Sequence, residues 1–147
     1  MILHGRDKLV IKLINKTGSA SVKGQVVKQY ADVDESYAAA DASGITACGV
    51  VLQEGIPDGS PVPICILGRC QVLFGTGSSS TRGNWATISA SENGLASSMY
   101  VKAGNVFMQG IGMTCETVVG VEAQNNLVWI DFIPSKSTDV PVESAVQ

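Results

Sequence analysis

Hydrophobic positions in this chain fall in short runs separated by Gly, Ser, Pro and Asp clusters, with no long amphipathic helical stripe. Residues 8–14 (Lys-Leu-Val-Ile-Lys-Leu-Ile) read as a strand, broken by Thr17-Gly-Ser-Ala-Ser. Residues 25–30 form a second short strand, entered through Lys23-Gly24. Residues 32–43 are polar and Ala-rich and predict a loop or a short helical piece. Residues 47–53 are a strand. Pro57 and Asp58-Gly59 then supply a turn, because Pro presets φ and Gly accepts positive φ. Residues 62–67 leave that turn as a strand, and 70–74 continue it past Gly68, so 47–74 predicts a hairpin with an extension. Residues 75–83 read as a flexible Gly/Ser connector. Beyond it, 84–89, 111–119 and 127–133 predict strands, with short candidates at 100–101 and 106–109. Residues 90–98 are small and polar, 120–126 predict a turn, and Pro134 ends the last strand. The organisation expected is an arm over 1–8, a β-rich domain over 9–134 and a flexible tail over 135–147.

Two stretches of the chain share an order of motifs. Lys23-Gly24-Gln-Val-Val parallels Arg82-Gly83-Asn-Trp-Ala, and Ile45-Thr-Ala-Cys-Gly49-Val-Val-Leu parallels Met108-Gln-Gly-Ile-Gly112-Met-Thr-Cys. Each is followed by a turn and an apolar strand, 62–67 and 127–132. The offsets drift from 59 to 63 to about 65, which implies small insertions between copies. Gly/Val-rich strands also resemble one another by chance, so shared order carries the argument. Two pseudo-repeated β units in one barrel or sandwich would explain it.

Composition supports an all-β reading. Val and Ile number 29 against 8 Leu, whereas helical bundles favour Leu, Lys and Glu. A chain of 147 residues with 45% hydrophobic and 16% charged residues can bury one core and is not compositionally disordered. Residues 1–30 carry six basic groups against one acid, although the formal net charge of the whole is −3. These cations are spread along strand-like sequence, not clustered, and the eight aromatics are not interleaved with Arg or Lys. The pattern argues against nucleic acid as a partner. A basic arm docking on an acidic protein partner is the functional reading, and a solvated strand face the plainer one. The start of the chain lacks the pattern of a signal peptide, and no run is long enough to span a membrane, so cytoplasmic synthesis is expected.

Reactive constellations are missing from the sequence. The single His, His4, lies near the terminus, which leaves no evident Ser-His-Asp triad. Cys48, Cys65, Cys70 and Cys115 show no zinc spacing. Cys48, Cys65 and Cys115 lie in apolar runs and are expected to be buried free thiols. Gly75–Gly83 lacks the Lys of a phosphate-binding loop. The acids Glu54, Asp58, Glu92, Glu116, Glu122 and Asp131 are sparse. Glu54 and Asp58 read as turn groups or a weak Ca²⁺ site, and Asp131 faces water or pairs across an interface. No enzyme activity, metal or cofactor is expected, and a structural or binding part acting through repeated weak contacts fits better.

Further motifs add a resemblance. Val22-Lys-Gly-Gln-Val-Val is followed by Ile45-Thr-Ala-Cys-Gly-Val-Val-Leu-Gln-Glu, a short turn, Pro63-Ile-Cys-Ile-Leu-Gly-Arg-Cys-Gln-Val and Arg82-Gly-Asn-Trp-Ala-Thr-Ile-Ser. Over residues 9–133 this order resembles the capsid decoration (cement) proteins of tailed bacteriophages. The resemblance implies a β-barrel or β-tulip-like domain. It implies a homotrimer on the outer surface of the virion head that bridges major capsid protein subunits and has no catalytic residues. The family's N-terminal arm lies on the capsid floor, which would give Arg6, Lys8 and Lys12 a capsid-binding role. A head-fibre base, or a receptor- or glycan-binding β module of a virion, is the other class this sequence fits. An exposed Trp85 on a loop would favour glycan binding. A small β enzyme with a pocket lined by Glu92, Glu116 or Asp131 is the third.

Overall fold

The computed structural model describes residues 8–42, 44–98, 109–120 and 124–134. Among them the chain is all-β, with nine strands and no helix: β1 Lys8–Asn15, β2 Val26–Gln29, β3 Ser36–Ala39, β4 Gly49–Val51, β5 Pro61–Phe74, β6 Trp85–Ile88, β7 Ala96–Ser98, β8 Gly110–Thr114 and β9 Asn126–Phe132. The strands pair in the order β1-β3-β2-β4-β5-β7-β6-β8-β9, and β5 also pairs with β1 and with β9. Two closed circuits of five strands result, and they share β5 (the N-terminal half of β5 closes the first, the C-terminal half opens the second).

The second circuit repeats the first, strand for strand. The pairing order β1-β3-β2-β4-β5 becomes β5-β7-β6-β8-β9 when every label advances by four. In both, the first and third strands are parallel and all other pairs antiparallel. Registers match residue by residue. Val26↔Val50 and Val50↔Cys65 have the counterparts Trp85↔Met113 and Met113↔Asp131. Backbone angles match as well: Gly18, Gly24 and Glu35 have positive φ, as do Gly77, Gly83 and Gly94, each 59 positions later. The sequence offsets of 59 and 63 are therefore the true correspondence, and the last strand pairs Cys65 with Asp131.

Buried serines show why the two units fold alike. Ser21 Oγ donates to Gln53 O at 2.6 Å and accepts from Ile56 N–H at 2.8 Å. Ser80 Oγ donates to Glu116 O at 2.8 Å and accepts from Val118 N–H at 3.1 Å. Each side chain, itself buried, closes a loop by bonding one backbone carbonyl and one N–H. Residues 75–83 are thus no free connector. They are the counterpart of 16–24, held at the Ser80–Val118 bridge and by Gly77 N–H to Gln124 O at 3.0 Å.

Two strands depart from the sequence reading. Residues 36–39 are β3, where a loop or helical piece was expected, and 96–98 are β7 inside the small polar stretch. Tertiary burial overrides the Ala propensity of the first: Tyr37 is fully buried, and Asn15↔Tyr37 pairs β3 with β1. Gln109 stands outside the strands, and the rest of the candidates at 100–101 and 106–109 lie outside the described residues.

Alternation sends each strand's two faces to two cores. Val27, Val51, Val62 and Ile64 fill the first circuit together with Leu13 and Tyr37. Their neighbours Val26, Val50 and Cys65 point the other way and join the core of the second circuit, with Cys70, Val72, Phe74, Ile130 and Phe132. The joint between units is visible in the backbone. In the first unit Ile14 N–H bonds Glu35 O at 2.8 Å. In the second, the equivalent Leu73 N–H bonds Gly24 O at 2.8 Å, and Gly94 O accepts from Val26 N–H at 2.8 Å. The start of β2 is inserted into the seam of the second circuit. A Cβ on Gly24 would lie 2.5 Å from Leu127 Cδ2 and 2.9 Å from Leu73 N, so Gly is required there.

Candidate interaction surface

Four of the acids singled out in the sequence accept backbone hydrogen bonds. Glu54 Oε1 accepts from Lys23 N–H at 2.8 Å, and Asp58 Oδ1 from Gly18 N–H at 2.8 Å. Glu92 accepts from Thr76 N–H at 3.0 Å and from the Thr76 hydroxyl at 2.9 Å. Glu116 Oε2 accepts from Trp129 N–H at 3.0 Å. Glu122 lies outside the described residues. Among the described residues no group of three or more His, Cys, Asp or Glu converges.

Cysteines divide differently from the sequence expectation. Cys65 and Cys70 are buried, whereas Cys48 and Cys115 are half-buried, and all four are free thiols. The bend of β5 at Gly68, where φ is +110°, brings Cys65 and Cys70 together although they are five residues apart. The hydrogen bond to Cys65 and burial push the Cys70 thiol far up, which keeps it protonated and unreactive.

On the outer face of β5, β8 and β9 several apolar side chains meet solvent together. Leu67, Met113, Trp129 and Ile133 are exposed around the Arg69–Asp131 ion pair. Arg69 Nε donates to Asp131 Oδ1 at 2.9 Å and Nη2 to Oδ2 at 3.2 Å, a two-pronged contact across paired strands. That contact holds the Asp131 carboxyl below the usual carboxylate range. Burial and the nearby Asp131 carboxylate push the Cys115 thiol up. The Asp131 side chain is 41% exposed and so faces water, the first of the two outcomes its alternation with Trp129 allowed, and its ion pair lies within its own sheet, not across an interface. Two shallow depressions flank the pair. One of about 340 Å³ lies between Leu67, Arg69, Asp131 and Ile133, and one of about 330 Å³ between Arg69, Cys115, Glu116 and Trp129.

The N-terminal candidates separate. Arg6 lies outside the described residues. Lys8 opens β1, half-buried and paired with Gly68, and Lys12 is exposed further along the same strand beside Val10 and Ile11. Trp85 is not on a loop: it opens β6, half-buried, with its ring over Gly110. The exposed tryptophan is Trp129, and alternation alone could not point to it, because it does not say which face of β9 is covered. Compared with protein-family models, the chain matches none, and no curated protein is detectably similar to it.

Proposed function

We propose that this protein is a capsid decoration protein of a tailed bacteriophage, binding the outside of the head and bridging major capsid protein subunits as a homotrimer. The observation that carries the reading is the division of side chains. Glu54, Asp58, Glu92 and Glu116 are tied up in backbone hydrogen bonds and Asp131 in an ion pair, while Leu67, Met113, Trp129 and Ile133 stand exposed on one sheet face. Such a face suits adhesion, which needs exposed apolar area ringed by polar groups. The motif order of residues 22–27, 45–54, 63–72 and 82–89 supports the same class. Lys8 and Lys12 on β1 would add charge attraction to an acidic capsid surface, with Arg6 ahead of them.

Purified protein mixed with expanded, undecorated heads should cosediment and raise their thermal disruption temperature, since a ligand of the assembled state stabilises it by mass action. Heads that take up no protein would reject the reading. Removing residues 1–7 and reversing Lys12 (Lys12→Glu) should weaken uptake. Unchanged occupancy would remove the N-terminal cations from the contact. Trp129, set between Arg69 and Glu116, favours a second reading, a glycan-binding virion module. Binding to a glycan array that is lost in Trp129→Ala would select it.

A further inference from the structure

The duplication assigns a partner to a face that a single copy leaves open. In the first unit the outward residues of β2, β4 and β5, namely Val26, Val50 and Cys65, are 0% exposed because the second unit covers them. Their counterparts in the second unit are Trp85, Met113 and Asp131, with Trp129 in the place of Pro63. There Met113 is 38% and Trp129 39% exposed. The turn glycines report the same contrast. Gly24 is pressed against Leu73 and Leu127, whereas a Cβ on Gly83 would meet nothing within 4 Å, although φ is +87° and +88°.

The covering element has a counterpart too. Within the chain, Cys65 touches Cys70 in the C-terminal half of β5. Register places Val10, Ile11 and Lys12 of β1 where Arg69, Cys70 and Gln71 stand in the second unit. Val10 and Ile11 are exposed on β1, as is Lys12. One molecule therefore carries an open face and, on β1, an exposed counterpart of the strand that covers that face in the first unit; the backbone seam is not repeated, because Ile14 N–H is taken by Glu35 O. The open face carries mixed charge, with Asp131, Glu116 and Arg69 on one side and Lys8 and Lys23 beside Trp129, while Lys12 stands exposed further along β1.

We propose that the outer face of β6, β8 and β9 is a docking surface for β1 of a second copy of this chain. The contact is head to tail, so each copy uses both surfaces, and repetition closes a ring where the rotation allows it. It rests on the duplication and not on the capsid reading.

Sedimentation velocity and native mass measurement of the full chain, alone and as variants, test it. Wild type should be oligomeric. Met113→Arg, on the open face, and Ile11→Asp, on β1, should each reduce it to monomer with the fold retained by circular dichroism. Lys12→Glu, at an exposed position, should weaken assembly without touching the core. Mixing Met113→Arg with Ile11→Asp should give a one-to-one heterodimer and no larger species, because one good surface of each kind remains. A wild type that stays monomeric at every concentration overturns the proposal. So does an oligomer indifferent to these substitutions, or one that Met113→Arg disperses while both β1 variants leave it intact. Head binding is scored separately. A monomer that decorates heads sinks this contact and leaves the decoration reading, and an oligomer that ignores heads does the reverse.

Discussion

Single hydroxyls matter in this fold because several are buried where nothing else can bond. Ser21 and Ser80 each satisfy one carbonyl and one N–H in a closed loop. Ser21→Ala removes the partner of both groups and should lose about 1–3 kcal/mol in urea unfolding. Ser80→Ala should lose less, because Val118 N–H keeps a bond to Ser80 O at 3.2 Å. Tyr37 is the opposite case, since its hydroxyl is buried with no hydrogen-bond partner. Burial, with Asp58 nearby, pushes its pKa up to about 12. The folded pKa lies above the unfolded value, so the contribution of this group is intact below about pH 10 and falls as pH rises towards the folded pKa. Tyr37→Phe should therefore match or exceed wild-type stability at neutral pH and show a shallower alkaline decline in pH-dependent melts, the rest coming from the raised Cys70 and Cys115 thiols. Gln109 shows what the sequence hid. Its side chain accepts from Ala47 N–H at 2.9 Å and donates to Ala47 O at 3.1 Å, standing in for a strand neighbour. No local pattern marks a glutamine 62 positions away as the partner of an alanine.

Strand positions were largely legible and strand partners were not. Runs rich in Val and Ile located β1, β2, β4, β5, β6, β8 and β9 within a few residues, because those side chains are buried on one or both faces. β3 and β7 escaped because Ser-Tyr-Ala-Ala and Ala-Ser-Ser have little apolar signal and exist through pairing with β2 and β6. The repeat ran further than the matched pentads. Thr17-Gly-Ser-Ala-Ser-Val-Lys-Gly24 and Thr76-Gly-Ser-Ser-Ser-Thr-Arg-Gly83 share their Gly, Thr and Ser positions, and reading the second as a linker concealed it. The seam between units yields a paired test. Gly83→Ala should cost about 1–2 kcal/mol, the strain of a left-handed residue with open space around it. Gly24→Ala carries the same strain plus the clash with Leu127 and Leu73, and should cost about 1–3 kcal/mol more from overpacking. Equal denaturation midpoints for the two variants would remove the inserted seam.

As a whole, the protein cannot be cut into its two units. β5 serves both circuits, and Val26, Val50 and Cys65 belong to the second core. Full-length protein should unfold in one transition seen alike by circular dichroism and tryptophan fluorescence. A fragment ending at Phe74 should show no cooperative melt, since it would expose that apolar face and lose β9. The acids and cations of the candidate surface were nameable from sequence. The surface itself was not, because exposure depends on which unit covers which, and that is a property of the complete molecule.

Strands β1 and β9 converge on one residue: Gly68 pairs with Lys8 of β1 and with Phe132 of β9. Adjacent strands lie about 5 Å apart, so Lys8 and Phe132 stand roughly 10 Å from each other. A short bridging peptide could join them, and new ends could be opened in the exposed turn at Pro57-Asp58-Gly59. Such a circular permutant should keep the parental spectrum and melting curve. It would also move any fused cargo from the middle of β5 to the opposite tip of the first unit.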